Sequence, residues 1–484
     1  MDPVTLKELK EAFVTGHSGT TPTEIFLVCL SAPLGIFLFN LAHHVLRKSR
    51  GSKIPKQTLV MIESIVLLFP MALCQTNLLY PWGRNLLGVE GIVAACLHFW
   101  CRIRFRGGEM DPSPASDERM LPFLSSYRST VSYLTFVAIL AVDFHVFPRR
   151  FAKTETRGYG LMDLGAGSFV VSGGFVSWHA RRSRRSGGTG KLTYWSALKP
   201  VVVRSAPLLV VGLIRLATNK GLEYQEHVSE YGVHWNFFFT LAVVGILSTM
   251  FRHDTENSTG HGSWNVVTMV FPWILLALHQ TALSLYGIQD YIEDAPRQCQ
   301  EPNGIICNFV AANREGILGS IGYICIQLIS EDIAHYCLWS PERSARRGER
   351  LSLCCALMWL LHWMLESVAD IETSRRSTNA TFVVWTIAHN TTVLLLIWAA
   401  FFFVSPFASV SPTFDSANRH GLIVFILANL MTGLVNLTIN TLEVSDSQAL
   451  AIIFLYLFSV GSVALAIDWA FMRLRGKPKK EKVL

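Results

Sequence analysis

The sequence is poor in charged residues for its length. Only 16% of its 484 residues are charged, whereas soluble globular chains carry roughly 25%. Because charged groups are costly in hydrocarbon, this deficit indicates a chain that lies mostly inside a membrane. The apolar share of 51% and the mean hydropathy of +0.35 agree with this interpretation.

Several common catalytic and metal-binding motifs are also absent. The sequence has no Gly-rich phosphate loop, no HExxH and no GxSxG, which argues against a P-loop nucleotidase, a zinc protease or an α/β-hydrolase. Its ten cysteines include no CxxC pair and no zinc-type spacing, so no metal site is predicted. Cys299 and Cys307 share the loop 287–315, where a disulfide can form if the loop is lumenal.

A net charge of +7 does not indicate nucleic-acid binding here. The lysines and arginines occur in short clusters between apolar runs, and they form no basic stripe interleaved with aromatics. The first 23 residues are polar and lack the order of a cleavable signal peptide, so the first membrane span is expected to act as the targeting signal.

Thirteen apolar runs approach the roughly 20 residues that a helix needs to cross a bilayer. We predict an all-α, polytopic integral membrane protein with about 13 transmembrane helices. It has one membrane domain over 24–472, a lumenal segment 1–23 and a cytosolic basic tail 473–484. The predicted spans are 24–46, 57–75, 84–101, 128–147, 160–178, 196–217, 234–251, 264–286, 316–339, 351–369, 380–404, 420–442 and 448–472.

The distribution of positive charge predicts the orientation of these spans. With the C-terminus in the cytosol, the cytosolic segments hold twenty-eight lysines and arginines and the opposite side holds twelve. The tail contains Lys480 and Lys482, which resemble a dilysine retrieval signal of the endoplasmic reticulum. Alternatively, these lysines only set the topology.

Four of the twelve disfavoured cations lie in one short loop after span four, at Arg149, Arg150, Lys153 and Arg157. Asp143 precedes them at the membrane boundary, where a carboxylate is costly unless it is hydrated, paired or functional. It is therefore either a general base or one partner of a structural ion pair. Lys153 can orient Asp143 or stabilise an oxyanion, or it is simply a solvated charge.

Other polar residues are candidates for substrate binding. Asp163, near the start of span five, can bind hydroxyl groups or pair locally. His234 and Asn236 offer donors and acceptors that suit a sugar or inositol, and Trp235 suits a membrane interface. Each of these side chains also has a purely structural interpretation.

A stripe of asparagines lies along span twelve. Asn429, Asn436 and Asn440 are spaced i, i+7 and i+11, which places them on one helix face. Such a stripe either joins helices by hydrogen bonds or lines a wet cavity.

Taken together, several segments of the chain resemble one family, the inositol acyltransferases of glycosylphosphatidylinositol (GPI) anchor synthesis, also called the PIG-W family. The resemblance runs from residue 9 to the last span. The most specific segment is Asp143-Phe-His-Val-Phe-Pro-Arg-Arg-Phe-Ala-Lys153-Thr-Glu-Thr, with further matches at 161–165, 231–239, 313–317, 372–376 and 428–436.

The resemblance implies an activity, a location and a set of residues. The expected reaction moves a fatty acyl group, typically palmitoyl, from acyl-CoA to the inositol 2-hydroxyl of glucosaminyl-phosphatidylinositol in the endoplasmic reticulum membrane, with no tightly bound cofactor. Asp143 and Lys153 match the catalytic acid and lysine of the family. The residues expected to bind substrate are Arg149, Arg150, Asp163, His234, Trp235, Asn236, Asn313, Asn436 and Asn440.

Two other classes of function compete with this hypothesis. A lipid or solute transporter would suit intramembrane charges such as Glu63, Glu90, Arg204 and Glu366, but the sequence shows no repeated halves. A purely structural subunit of a glycolipid enzyme would leave the cluster of Asp143 and the following cations unexplained.

Overall fold

The computed structural model describes residues 6–50, 54–77, 83–104, 121–181, 194–222, 228–258, 266–298, 304–339, 346–404 and 408–474. Regular structure within these ranges is helical, apart from one isolated β-bridge between Thr20 and Tyr159. Cys299 and the tail with Lys480 and Lys482 lie outside the described residues. Cys307 is disulfide-bonded.

The α-helices follow one another with short connections. In chain order they are α1 (Leu6–Val14), α2 (Pro22–Arg50), α3 (Lys56–Glu63), α4 (Phe69–Leu73), α5 (Gly83–Arg104), α6 (Pro122–Ala141), α7 (Leu161–Phe175), α8 (Trp178–Arg181), α9 (Tyr194–Leu222), α10 (Val228–Tyr231), α11 (Phe237–Ser258), α12 (Val266–Leu285), α13 (Ile288–Asp294), α14 (Ile305–Ala312), α15 (Arg314–Ala334), α16 (Arg347–Trp363), α17 (Ala380–Val404), α18 (Pro412–Arg419), α19 (Gly421–Thr438) and α20 (Asp446–Leu474). Single π-helical turns at Ser64–Leu68, His335–Trp339 and Met364–Val368 continue α3, α15 and α16.

Nine helical segments of the described chain are long and apolar enough to cross a membrane. They are Pro22–Ser49, Lys56–Leu73, Tyr194–Thr218, Val266–Leu285, Arg314–Trp339, Arg347–Val368, Ala380–Val404, Gly421–Thr438 and Asp446–Leu474. The four other predicted spans coincide with α5, α6, α7 and α11, so a helix occupies every predicted run. The all-helical, polytopic membrane architecture is confirmed, and the number thirteen stays a prediction.

The chain divides into two compact units. The first comprises Met1–Thr21 and Ala152–Thr392, and the second comprises Pro22–Phe151 and Val393–Leu484. Helices α1 and α7–α16 belong to the first unit, α2–α6 and α18–α20 to the second, and α17 begins in the first and ends in the second. The single membrane domain expected over 24–472 stays a prediction.

Close helix packing in the first unit depends on glycines of α7. A Cβ atom added at Gly174 would lie 2.6 Å from the Cβ of Ser330 on α15, and one added at Gly167 would collide with the side chain of Thr386 on α17. Small residues let membrane helices approach closely and gain van der Waals contacts. These contacts drive helix association in a bilayer, where the hydrophobic effect does not act between helices. These two glycines of α7 therefore allow close packing of helices.

A buried arginine links three helices of the same unit. Arg252 on α11 is 1% exposed, its Nε lies 3.1 Å from Glu331, and one terminal nitrogen lies 2.8 Å from Asp332 on α15. It also donates to the carbonyl oxygens of Thr268 and Leu328. The predicted span ends at 251 and therefore leaves Arg252 outside it. In the structure α11 continues to Ser258, and Arg252 is buried.

In the second unit, Glu63 serves as a helix cap. Its carboxylate accepts hydrogen bonds from Ser411 Oγ at 2.6 Å, from the Thr413 hydroxyl and backbone N–H, and from the Phe414 N–H. The two N–H groups lie in the first turn of α18, where backbone N–H groups have no partner within the helix. The intramembrane carboxylate that would suit a transporter is therefore engaged in holding α18 in place.

Candidate active site

Asp143 lies in the second unit, in a turn just after α6. The helix ends at Ala141, and the Asp143 N–H donates to the Leu140 carbonyl oxygen at 3.3 Å. The predicted span ran on to 147, but the chain leaves the helix earlier and returns through the turn to Pro148. Asp143 therefore stands on the turn, where its carboxylate can approach α19.

The carboxylate of Asp143 is bonded to one of the predicted asparagines. Asn436 Nδ2 on α19 donates to Asp143 Oδ2 at 2.7 Å and also contacts the Thr432 carbonyl oxygen at 3.3 Å. Asn429 makes only the local type of bond, to the Phe425 carbonyl oxygen at 2.7 Å. Of these two asparagines, Asn436 is thus the one that the structure brings to the predicted acid.

Asn440 does not belong to the helical stripe. Helix α19 ends at Thr438, and Ile439 is extended, so the i+11 position lies beyond the helix. The predicted stripe was wrong at this end because the apolar run continues after the helix stops. The Oδ1 atom of Asn440 is buried and has no hydrogen-bond partner among the described residues.

Arg149 organises the turn that carries Asp143. Its guanidinium donates to the carbonyl oxygens of Val142 at 2.9 Å, Phe144 at 2.9 Å and Phe147 at 3.0 Å. Burial lowers the pKa of Arg149 to about 10, although the nearby charge of Asp143 acts in the opposite direction. At neutral pH the side chain is therefore still a cation, and it satisfies carbonyl groups of the turn that follows α6.

Arg150 points to a different partner. Its guanidinium forms an ion pair with Glu24, in the first turn of α2, at 2.9 Å. The Arg150 guanidinium also lies over the Phe151 ring, 4.9 Å from its centroid. The structure thus separates the roles of two adjacent arginines that looked equivalent in the sequence.

Lys153 belongs to the first unit, where it forms an ion pair with Glu230 of α10. The next residue, Thr154, is fixed by Asp163: its N–H and hydroxyl donate to Asp163 Oδ2 at 2.9 and 2.8 Å. A Cβ atom at Gly160 would collide with the Asp163 carboxylate, which explains the glycine one turn earlier. Asp163 is therefore a clamp on the loop that carries Lys153.

The same aspartate is paired with an arginine that the sequence analysis did not place at the site. Arg375 Nε lies 2.6 Å from Asp163 Oδ1, and both side chains are buried. Burial alone would lower the pKa of Arg375, but the negative charge of Asp163 raises it above its usual value. The guanidinium also lies over the ring of Tyr231, 5.6 Å from its centroid.

Two segments of the family resemblance pack against each other in this unit. Asn313 Oδ1 accepts the His234 N–H at 2.7 Å, and a Cβ atom at Gly316 would collide with the Trp235 ring. Gly232 has φ +111°, and a Cβ atom there would lie 2.5 Å from the Cα of Asn313, so this position requires glycine for two reasons. The 231–239 and 313–317 segments therefore form one structural element.

Asn236 and Trp235 have structural partners in the same element. Asn236 Oδ1 accepts the N–H groups of Phe238 at 3.1 Å and Phe239 at 3.3 Å, and its Nδ2 donates to the Gly212 carbonyl oxygen at 3.0 Å. It is thus the N-cap of α11 and a link to α9. Trp235 Nε1 donates to the Thr240 hydroxyl at 2.9 Å.

Loops that the predicted orientation assigns to the lumenal side contact one another in the first unit. Arg157 pairs with Glu293 and Glu372, and Ser374 Oγ donates to the Thr156 carbonyl oxygen at 2.8 Å. The N-terminal segment joins them, since the Thr20 N–H donates to the Tyr159 carbonyl oxygen at 2.7 Å. The orientation itself stays a prediction.

Sequence reasoning did not predict Glu230 as the partner of Lys153 or Arg375 as the partner of Asp163. Arg375 and Arg376 were detectable as a cationic pair on the disfavoured side of the membrane, although the sequence could not name their partners. Glu230 directly precedes the 231–239 segment, and no pattern distinguished it.

The fold and these polar clusters define a polytopic helical membrane protein in which buried polar and charged side chains hold short loops at the helix ends. The GWT1 family model matches residues 6–467. A protein of Aspergillus fumigatus named GPI-anchored wall transfer protein 1 is 35% identical, over 98% of this chain and 99% of that protein. Proteins with the same name in Aspergillus oryzae and Yarrowia lipolytica are 34% and 32% identical, each over 97% of this chain and 99% of the relative. The chain therefore belongs to the GWT1 family, which confirms the resemblance found in the sequence.

Proposed function

We propose that this chain is an acyltransferase of GPI-anchor biosynthesis. It transfers a fatty acyl group, palmitoyl, from acyl-CoA to the inositol 2-hydroxyl of glucosaminyl-phosphatidylinositol in the endoplasmic reticulum membrane. Membership of the GWT1 family over almost the whole chain supports the pathway, because the relatives are named for GPI-anchored wall transfer. The acid and lysine of the 143–156 segment support the reaction.

The proposed chemistry is attack of an alcohol on a thioester. The inositol 2-hydroxyl oxygen forms a bond to the acyl carbon, the carbon–sulfur bond breaks, and CoA leaves as a thiolate. Asp143 accepts the hydroxyl proton as the attack proceeds, and that proton then neutralises the thiolate. Lys153 orients the reacting groups or stabilises the oxyanion of the tetrahedral intermediate.

The observation that carries the proposal is the hydrogen bond from Asn436 to Asp143 at 2.7 Å. A general base must present its carboxylate in a fixed direction, because small misplacements in reacting geometry lower rates strongly. The Asn436 amide bonds to Oδ2, and Arg149 fixes the turn on which Asp143 stands. This arrangement is the support that a base requires.

Lys153 is supported in the same manner within its own unit. Glu230 pairs with its ammonium group, and the Asp163 clamp fixes the adjacent Thr154. Both candidate groups are thus held by polar partners rather than left as solvated charges. The ion pair with Glu230 argues against a merely solvated Lys153, and the hydrogen bond from Asn436 gives Asp143 the fixed direction that a base requires.

The remaining candidates divide by their contacts. Asp163, Asn236 and Asn313 bond to protein groups, so we assign them positioning roles near the substrate. His234 and Asn440 stay as proposed substrate contacts, as does the ring of Trp235, whose Nε1 already donates to Thr240. The buried Oδ1 of Asn440 is suited to accept a hydrogen bond from a sugar hydroxyl.

Acyl transfer by the purified single chain tests this function. The protein is incubated with palmitoyl-CoA and glucosaminyl-phosphatidylinositol, and the lipid is analysed by mass spectrometry. We expect a mass increase of one palmitoyl group, and its loss in Asp143→Asn and in Lys153→Ala. Near wild-type turnover in either folded variant would remove that residue from the mechanism.

The same assay separates the enzyme from the two alternatives. A transporter would leave the mass of the lipid unchanged, and a structural subunit would require a second protein for activity. We also propose a lumenal N-terminus and a cytosolic C-terminus. Protease protection of terminal tags in sealed microsomes tests this orientation.

A further inference from the structure

Arg376, in the loop between α16 and α17, is a largely buried cation with one hydrogen bond to the described residues. Its side chain is only 10% exposed, and one terminal nitrogen lies 3.1 Å from Glu315 Oε1. The Nε atom is buried and has no hydrogen-bond partner in the described part of the chain. A guanidinium has five N–H donors, and a buried donor left unpaired is costly, so this side chain is suited to a ligand.

The carboxylate beside Arg376 is already shared. Glu315 is buried on α15 and receives hydrogen bonds from Arg297 at 2.7 and 3.1 Å. Arg314 Nε lies 3.9 Å from the same carboxylate, and its guanidinium donates to the carbonyl oxygens of Ile292 and Pro296. In the described ranges, Glu315 is the one carboxylate within 4.0 Å of either Arg314 or Arg376.

The two arginines therefore carry at least one positive charge more than Glu315 can balance. An unbalanced buried charge is unfavourable unless an anion approaches it. Arginine is also the side chain best suited to phosphate, because its planar fork donates two parallel hydrogen bonds to phosphate oxygens.

We propose that Arg376, with Arg314 behind Glu315, binds the phosphodiester of the glycolipid acceptor. This inference rests on the proposed function, which supplies a phosphoinositide as substrate. A phosphodiester brings negative charge to the arginines that share Glu315. CoA also carries phosphate groups, and separate KM values for the two substrates distinguish the two sources.

The contacts of the neighbouring Arg375 connect Arg376 with the loop that carries Lys153. Arg375, the neighbour of Arg376, pairs with Asp163, and Asp163 holds Thr154 directly beside Lys153. In a phosphatidylinositol, the phosphate and the 2-hydroxyl are on adjacent ring carbons. A phosphate held at Arg376 therefore brings the reacting hydroxyl towards the loop of Lys153.

Arg149 and Arg150, two arginines expected to bind substrate, are less suited to the phosphate than Arg376. Arg149 bonds to three backbone carbonyl oxygens of its own turn, and Arg150 pairs with Glu24. The Arg376 guanidinium has one hydrogen bond to the described residues, and its buried Nε has no hydrogen-bond partner among them.

The test compares Arg376→Gln with a control, Arg157→Gln, whose arginine is 44% exposed in the same group of loops. The KM values for glucosaminyl-phosphatidylinositol and for palmitoyl-CoA are measured separately in mixed micelles. We expect the glycolipid KM to rise about ten- to a hundredfold in Arg376→Gln, because the variant loses a hydrogen bond between charged groups. The palmitoyl-CoA KM and the control should stay near wild type. A selective rise in the palmitoyl-CoA KM would mean that the phosphate is that of CoA, and it would overturn the proposal.

A substrate analogue with a neutral methyl phosphotriester distinguishes binding from a general loss of structure. The wild-type protein should have a lower KM for the natural phosphodiester than for the phosphotriester. In Arg376→Gln the ratio of the two KM values should approach one. If Arg376→Gln fails to fold, Arg376→Lys carries the test, because lysine keeps the charge and loses the paired donors. An unchanged preference in the folded variant would overturn the assignment.

Direct binding separates this proposal from the proposed reaction. Purified protein is titrated with glucosaminyl-phosphatidylinositol in the absence of acyl-CoA. Weaker binding by Arg376→Gln supports the phosphate site even if no acyl transfer is detected, in which case only the proposed reaction fails. Equal binding by wild type and variant contradicts the site regardless of activity.

Discussion

Asn436 Nδ2 donates a hydrogen bond to Asp143 Oδ2 at 2.7 Å, which joins the last turns of α19 to the turn after α6. Both asparagines in the described part of α19, Asn429 and Asn436, bond to the carbonyl oxygen four residues earlier. Asn436 differs because its amide also reaches a carboxylate. This difference provides a matched pair for testing the site.

Replacing Asn436 with alanine should lower kcat about tenfold, because one hydrogen bond to a charged group contributes about 1.5 kcal/mol or more. The Asn429→Ala variant is the control, and its kcat should stay near wild type. Steady-state acyl transfer by both purified proteins checks this. Equal kcat values in the two variants would show that Asn436 does not position Asp143.

Removing the partner of Lys153 should weaken catalysis less than removing Lys153 itself. In Glu230→Gln the ammonium group loses its ion pair and regains rotamer freedom, so we expect kcat to fall roughly three- to tenfold. Glu24→Gln, which removes the partner of Arg150, serves as the comparison. A kcat of Glu230→Gln indistinguishable from wild type would argue against a positioning role for Glu230.

The pair of Asp163 and Arg375 should be important for stability. Asp163→Ala leaves a buried guanidinium without its carboxylate, which should lower the free energy of unfolding by about 3–5 kcal/mol. Arg157→Gln removes two ion pairs of an arginine that is 44% exposed, and it should change the free energy of unfolding by less than about 1 kcal/mol. Thermal unfolding in detergent, followed by tryptophan fluorescence, measures both. Similar losses in the two variants would contradict the buried-pair interpretation.

Asn236 and His234 should respond differently to substitution. Asn236→Ala removes the N-cap of α11 and should destabilise the protein by about 1 kcal/mol while leaving the glycolipid KM unchanged. His234→Ala should raise that KM with little loss of stability. Measuring the free energy of unfolding and the glycolipid KM for both variants checks that Asn236 is structural and that His234 contacts substrate. A raised KM in Asn236→Ala at unchanged stability would restore it as a substrate contact.

The helices were predictable because their signal is local. A run of apolar residues long enough to cross a bilayer must be helical, since a lipid-exposed backbone has no other means of satisfying its polar groups. All thirteen predicted runs are therefore occupied by helices. Helix ends were less predictable: α6 ends before Asp143 and α19 before Asn440, because apolar residues continue past the last hydrogen-bonded turn.

The partners of the polar residues were not predictable in this way. Arg149 and Arg150 are adjacent and chemically identical, but one bonds to backbone carbonyl oxygens and the other to Glu24. Asp163 is near Lys153 in the sequence, but the charge that balances it comes from Arg375, far along the chain. Neither composition nor spacing carries information about which distant loops meet.

The sequence by itself determined a membrane-spanning helical chain, its expected orientation and the acid and lysine segment that resembles one family. Hydropathy and charge act residue by residue against the bilayer, so they can be judged without knowing any contact. Only the tertiary structure decided that Asn436 holds Asp143 and that Asp163 and Arg375 fix the loop of Lys153. It also decided that Arg376 is largely buried, with an Nε that has no partner among the described residues. Those relationships depend on which helix ends come together, and the three-dimensional packing of the helices decides that.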